Sequence, residues 1–336
     1  MPRTWRSSAA LPPNCGHAPR RLFDSDAYRL EDPELDAIFT DTIIPISFGD
    51  CALSTDPLLV LVGAQPGAGK SRAGAAIRQQ SRQHLVEIIG DDLRPYHPHF
   101  QDLLALHPAA MPDGTAQAAG AWVERSIRYA AEHQISALVE GTFRNPQVPL
   151  GTARRFREQG FRVEVHLIAV APEVSRLSIA DRFVTGTQLN GAARFTSVDA
   201  HNLAFDALPD TLRALHETPS PVHRFVVRDR AGLLYSSDHP LPSRDPGLDS
   251  MLDVASREWW RRPMGIAAFA DWQERADRVT DYLGRHFVTD ASVRRLLTHL
   301  ELDRRYLQLT TTTPTHAIVQ RGRLLSNGEV IEPRVV

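Results

Sequence analysis

Leu58-Leu59-Val60-Leu61-Val62-Gly63-Ala64-Gln65-Pro66-Gly67-Ala68-Gly69-Lys70-Ser71 joins an unbroken apolar run to a glycine-rich turn ending in lysine and serine. The apolar run has the pattern of a strand buried on both faces. A helix is predicted from near Lys70 to about Arg82. A glycine-rich turn between strand and helix is a phosphate cradle. Its glycines let backbone N–H groups converge on anionic oxygens, and the helix N-terminus adds the positive end of its dipole. Lys70 is then placed for the β- and γ-phosphates and the Ser71 hydroxyl for Mg²⁺. The predicted nucleotide-binding residues are Gly63, Ala64, Gln65, Pro66, Gly67, Ala68, Gly69, Lys70 and Ser71. The strict spacing asks for glycine where Ala64 stands, and Gly63 comes one residue early. Gly67 and Gly69 keep their places, so the cradle is expected to survive with its start reshaped. Such a loop specifies nucleotide binding and leaves kinase activity open.

Composition singles out the same loop. Lysine and arginine total 38, and Lys70 is the only lysine. An arginine-rich chain that keeps one ammonium group, inside a glycine-rich turn, points to a site where a compact charge cannot be exchanged for a planar guanidinium.

Outward from the loop, strands and helices alternate. Strands are predicted at His84 to Ile89, Ile135 to Val139, Arg162 to Val170 and Arg224 to Arg228, the last turning through Asp229 to Gly232 into Leu233-Leu234-Tyr235. Helices are predicted at Ala116 to Glu132, Gly151 to Gln159, Pro172 to about Val184, and Val198 to about Glu217. This alternation predicts an α/β fold, a doubly wound, mostly parallel sheet of the P-loop NTPase type with helices on both faces. Residues 1–33, rich in Pro, Arg and Ser, read as a flexible arm, with a short amphipathic stretch following at Glu34 to Phe39. Residues 34–240 read as the nucleotide-binding domain. Pro242, Pro246 and Gly247 mark a linker into a mainly helical C-terminal extension over 241–336, with Trp259, Trp260, Phe269, Trp272 and Tyr282 as packing anchors. Its end carries the run Thr310 to Thr313 and a hairpin around Asn327-Gly328.

Several function classes are disfavoured. The formal net charge of -2 gives no footprint for nucleic acid or anionic lipid. Arg257, Arg261 and Arg262 read as a solvated helix face. Two cysteines, Cys15 and Cys51, build no disulfide framework, and a reducing cytoplasm is the expected compartment. No apolar run is long enough to span a membrane, and prolines break any secretory signal near the start.

Carboxylates supply the chemistry. Asp91-Asp92 and Glu140 fall at the ends of predicted parallel strands, where open α/β sheets hold their ligands. A kinase acting on a hydroxyl needs a carboxylate to orient the acceptor and take its proton, a role open to Asp91 or Asp92. Glu140 suits an acceptor contact or the shell of a metal ion. Arg182 and Arg194 flank a turn and have the form of a lid over a migrating phosphoryl group.

Taken together, Gln65 to Ser71, Asp91-Asp92-Leu93-Arg94-Pro95-Tyr96-His97-Pro98, Val139-Glu140-Gly141-Thr142-Phe143-Arg144 and the two arginine segments resemble the zeta-toxin family of toxin–antitoxin kinases over roughly residues 35–240. The resemblance implies a kinase that uses ATP and Mg²⁺ to phosphorylate the 3′-hydroxyl of the amino sugar of UDP-N-acetylglucosamine, blocking cell-wall synthesis. It also implies an antitoxin as a possible partner. By position, Asp91 matches the family's catalytic base. Arg94, Glu140, Thr142 and Arg144 match acceptor-binding residues, and Arg182 and Arg194 the phosphate clamp that works with Lys70. Asp92 stands where the family usually has Ser or Thr. That extra charge leaves open another acceptor, such as an antibiotic or a dinucleotide like NAD. A non-catalytic nucleotide switch is the reading from a different class.

Overall fold

The computed structural model describes residues 23–51, 53–107, 110–238, 264–312, 319–325 and 328–335, with Leu252, Ala255, Ser256 and Trp259. The expectations for Cys15, the linker prolines, Arg257, Arg261, Arg262, Trp260, Thr313 and Asn327 lie outside the described residues.

Six strands form one sheet: β1 (Leu58–Gly63), β2 (Val86–Ile89), β3 (Ala137–Gly141), β4 (Arg162–Ile168), β5 (Arg224–Arg228) and β6 (Leu233–Asp238). Their order is β2-β3-β1-β4-β5-β6. The first five run parallel and β6 returns antiparallel on β5. This is the doubly wound sheet that the alternating pattern predicts. All six residues of β1 are buried. Leu59 and Leu61 enter one core with Phe156, Leu208 and Leu212, while Leu58, Val60 and Val62 enter the opposite core with Ile77 and Leu138. Full burial of each such side chain contributes about 1.5–3 kcal/mol, so a central strand apolar on both faces is what the sheet needs.

The helices are α1 (Asp32–Ile38), α2 (Ile44–Phe48), α3 (Lys70–Gln80), α4 (Gly90–Leu93), α5 (Phe100–Leu106), α6 (Met111–Gly114), α7 (Ala116–Glu132), α8 (Gln147–Glu158), α9 (Pro172–Asn190), α10 (Val198–His216), α11 (Ile266–His286) and α12 (Ala291–Thr312). Two departures from expectation matter for the site. Strand β3 extends to Gly141, which puts Glu140 inside the strand. Helix α9 runs past Val184 to Asn190 and closes on Gly191 in the left-handed conformation. The Thr/Gly-rich stretch is a weak helix former, but Leu177, Ala180, Phe183 and Val184 bury one face of α9 against α11 and α12, with Phe269, Trp272, Leu283, Leu296 and Leu300. That burial anchors α9 as far as Val184, and the exposed last turn carries it on to the Gly191 cap.

The chain before β1 is also packed. The expected arm reaches residue 33, yet Ser25–Tyr28 is a 3-10 turn, and Leu30, Leu35, Phe39 and Ile43 surround Trp122 of α7. The Trp122 indole N–H donates to Leu35 O at 3.0 Å. Near the C-terminus, Arg323–Leu324 and Val330–Ile331 pair antiparallel, which matches the expected hairpin. Among the described residues, no helix is long and apolar enough to cross a membrane.

Candidate active site

Where β1 ends, the chain turns through Gly67 (φ 78°) and Gly69 (φ 102°), and Gly69 is the N-cap of α3. Both lie in the left-handed region that glycine occupies without steric cost. At Gly67 space is a second constraint, since a Cβ there would stand 2.2 Å from Ser175 O of α9. The turn leaves Lys70 and Ser71 at the first positions of α3. The Lys70 ammonium donates to Ala64 O at 3.0 Å and Gln65 O at 3.3 Å, and the Ser71 hydroxyl to Glu140 Oε2 at 3.4 Å.

The strand-end carboxylates converge on the same place. Asp91 sits in the single turn of α4 and accepts from Arg94 Nε at 3.1 Å, while Arg194 makes a close ion pair with its other oxygen. Arg94 is held from behind, donating to Pro112 O at 2.7 Å and Thr115 Oγ1 at 2.6 Å. After β3, Phe143 adopts a left-handed φ of 54° and presses its ring over Gly63, where a Cβ would collide with it. Thr211 holds the Phe143 carbonyl at 2.6 Å. With that ring buried, Thr142 and Arg144 on either side line the cleft.

The cleft measures about 630 Å³, within the range of small-molecule sites. Six basic side chains line it (Lys70, Arg72, Arg94, Arg144, Arg182 and Arg194), against the carboxylates Asp91, Asp92 and Glu140. That excess of positive charge suits a polyphosphate. Burial lowers the Lys70 ammonium to about 8, with Arg182 and Arg194 adding to the fall and Glu140 opposing it. Burial likewise raises the Glu140 carboxyl, which Lys70 partly counters and Glu87 and Asp92 reinforce. Asp92 is raised by burial alone. Two polar atoms here are buried without a protein partner, Arg194 Nε and Glu140 Oε1.

The Zeta toxin family profile matches residues 49–239, more than half of the chain and all six strands of the sheet. The chain belongs to the zeta toxin family. Toxin PezT of Streptococcus pneumoniae serotype 4 (strain ATCC BAA-334 / TIGR4) is 32% identical over 165 residues, covering 49% of this chain and 65% of PezT. Toxin zeta of Enterococcus hirae is 28% identical over 163 residues, covering 48% of this chain and 57% of that protein. This chain thus spans less than two thirds of the length of the curated relatives it matches. Among solved structures, one from a characterisation of the PezAT chromosomal toxin–antitoxin system of Streptococcus pneumoniae superposes with a TM-score of 0.62 at 24% identity. It covers 76% of this chain and 99% of that one, and supports the shared fold.

In this zeta toxin chain, the cleft brings together Pro66, Gly67, Gly69, Lys70, Ser71, Asp91, Asp92, Arg94, Glu140, Thr142, Arg144, Arg182 and Arg194. Four residues of the loop face elsewhere. Ala64, Gln65 and Ala68 are buried, and Gly63 makes room for Phe143. His97, part of the family-like motif, is also turned away from the cleft. Its Nδ1 accepts from the His99 backbone N–H at 3.1 Å. Nε2 therefore carries the proton and donates to Tyr28 O at 2.9 Å. His97 thereby fastens the segment before α1 to the stretch that follows α4.

Sequence reading missed Arg72, Ser178, Thr196 and Arg230. Ser178 lies one helical turn before Arg182, so a cleft-facing Arg182 would have pointed to it. Thr196 accepts from Arg182 Nη2 at 3.1 Å. Arg230, in the turn between β5 and β6, donates to Gly67 O at 2.6 Å and Ser178 Oγ at 2.8 Å. No local pattern marks it, because the contact spans more than 160 positions.

Proposed function

We propose that this chain is an ATP-dependent kinase that transfers the γ-phosphoryl group to a hydroxyl of a small acceptor. The observation that carries this reading is that Lys70 of the phosphate loop and Asp91 at the end of β2 open into one cleft, with Arg182 and Arg194 lining it too. In this reading the backbone of the loop and Lys70 hold the β- and γ-phosphates. Asp91 orients the acceptor hydroxyl and takes its proton, and Arg182 and Arg194 neutralise charge on the migrating group. Arg94, Glu140, Thr142 and Arg144 hold the acceptor.

Mg²⁺ fits the donor set. The Ser71 hydroxyl and Glu140 carboxylate offer oxygen, Glu140 Oε1 is a buried acceptor without a protein partner, and the described residues hold no three-ligand protein cluster. A metal that takes few protein ligands and fills its shell with phosphate and water suits such a site. Held by Ser71 and Glu140, Mg²⁺ would supply positive charge to offset that of the phosphates.

For the acceptor we propose the 3′-hydroxyl of the amino sugar of UDP-N-acetylglucosamine, on the strength of family membership and the matched positions Glu140, Thr142 and Arg144. An antitoxin is the proposed protein partner, since the fold is shared with a structure from a toxin–antitoxin system. Residues 34–240 are proposed as the catalytic unit and 241–336 as a mainly helical extension, of which α11 and α12 pack on α9.

Incubation with ATP and UDP-N-acetylglucosamine, followed by mass spectrometry, tests the assignment. Phosphorylated UDP-sugar is the expected product. ATP consumption only with a different acceptor, an antibiotic or NAD among them, would replace the substrate. No transfer to any acceptor would end the kinase reading.

A further inference from the structure

The phosphate loop is wired to the last helix. Gln65 is fully buried, and its amide donates to Val170 O at 2.7 Å and to Ser175 Oγ at 3.1 Å. Ser175 pairs with His201 Nε2 at 2.8 Å, and His201 Nδ1 with Asn202 Oδ1 at 3.0 Å. Arg176 donates to the same Asn202 oxygen at 3.0 Å. Its remaining edge forms a two-pronged pair with Asp303 of α12, at 2.8 and 2.5 Å.

One placement of the protons satisfies every link of this chain, with the Ser175 hydroxyl nearer to His201 than to Ala171 O at 3.2 Å or Pro172 O at 3.3 Å. Asn202 Oδ1 already accepts from Arg176, so His201 Nδ1 must be the donor and Nε2 the acceptor of the Ser175 hydroxyl proton. Burial and the Arg176 charge lower the His201 pKa to about 3, which keeps the ring neutral as this arrangement requires. Burial opposes the Arg176 charge, yet Asp303 holds its pKa above the usual value. A forked, buried guanidinium–carboxylate pair fixes geometry as well as charge.

The receiving end is mechanically tight. The first turn of α9 presses on the loop at Gly67, where Ser175 O leaves no room for a side chain. The same helix carries Ser178 and Arg182 into the cleft. Asp181, beside Arg182, is held by Arg275 at 2.9 Å and Arg278 at 2.5 Å, both from α11. Asp303, Arg275 and Arg278 all lie outside the family-matched residues 49–239.

We propose that Asp303 is a positioning residue for the phosphate loop. Through Arg176, Asn202, His201 and Ser175, helix α12 sets where Gln65 and Gly67 stand against α9. The C-terminal helices are on this account part of the nucleotide site rather than a cover for the sheet. The inference rests on reading residues 63–71 as the nucleotide-binding loop.

The test is a set of full-length variants, Asp303→Asn, Ser175→Ala, Gln65→Met and the Asp303→Asn/Gln65→Met pair. ATP affinity is measured by calorimetry and loop mobility by amide hydrogen exchange. Asp303→Asn and Gln65→Met are each expected to weaken ATP binding roughly 3- to 30-fold. The double variant should be no weaker than the poorer single, since both cut one chain. Ser175→Ala leaves the Arg176–Asp303 pair intact and should reproduce the loss, with faster exchange at residues 63–71. A Ser175→Ala protein with wild-type affinity and exchange overturns the inference even if Asp303→Asn fails to fold. Additive losses in the double variant also overturn it. Wild-type protein that never binds ATP overturns the nucleotide reading, whereas faster loop exchange in Asp303→Asn would still support the positioning role.

Discussion

Asp91 and Arg194 form an ion pair across the cleft, although 103 positions separate them in the chain. The carboxylate that would steer an acceptor and a cation that would meet a phosphate are therefore already in contact. Arg194 also contributes to lowering the Lys70 ammonium, so one guanidinium is shared between the acceptor side and the phosphate side. Nucleotide and acceptor should sense each other through it.

Asp91→Ala is expected to keep ATP affinity within a few-fold of wild type while lowering phosphoryl transfer by about 10²–10⁴-fold. Calorimetry with ATP alone and a turnover assay with acceptor separate the two effects. Near-normal turnover would remove Asp91 from the role of base.

Lys70→Ala is expected to impair binding and transfer together. Its titration sets a pH dependence whose sign follows from the site. A bound triphosphate favours the charged ammonium, so the pKa in the complex lies above the free value of about 8. Affinity is then fully present below pH 8 and falls as pH rises towards the pKa of the complex. ATP binding between those values should take up a proton, measurable as a dependence of the calorimetric heat on buffer ionisation. A flat affinity from pH 7 to 9.5 would contradict this account of the ammonium.

Gly67→Ala should be disproportionately damaging for the addition of one methyl group. The left-handed backbone costs a non-glycine residue about 1–2 kcal/mol, and the new Cβ would stand 2.2 Å from Ser175 O. A lower melting temperature together with lost ATP binding is the expected pair of results. An unchanged melting curve would show that α9 yields at this contact.

Arg230→Ala removes the tie from the β5–β6 turn to Gly67 O and Ser178 Oγ. Because the contact is partly exposed, little stability should be lost, roughly 0.5–1 kcal/mol. ATP affinity should drop more than the melting curve suggests. The comparison of denaturant midpoint with ATP Kd decides it.

Much of the architecture could be read from the sequence because parallel strands buried on both faces leave continuous apolar runs, and turn residues punctuate them. Arg182 and Arg194 stand out as basic residues flanking a turn, and Lys70, Asp91 and Glu140 for a reason related to the strands. Open α/β sheets put ligands at strand ends, so acidic and basic residues just past an apolar run stand out. Net charge is silent on one point. A value near neutrality for the whole chain conceals a cleft with twice as many basic side chains as carboxylates. Arg230, Ser175 and Asp303 were invisible because their partners are distant in sequence, and an arginine-rich chain offers dozens of equivalent candidates. The predicted helix stops near Val184 because the Thr/Gly-rich stretch that follows includes Gly186. In the fold it gives Ala193 room to pass, where a Cβ at Gly186 would be 2.7 Å away.

The hook from Arg230 bears on how the protein is made. Synthesis releases the chain from its N-terminus, so the phosphate loop leaves the ribosome some 160 residues ahead of that hook. A partly translated copy holds the loop with its outer support still unmade. On the proposed reading of the loop, a firm grip on nucleotide would come only after residue 230 has been made.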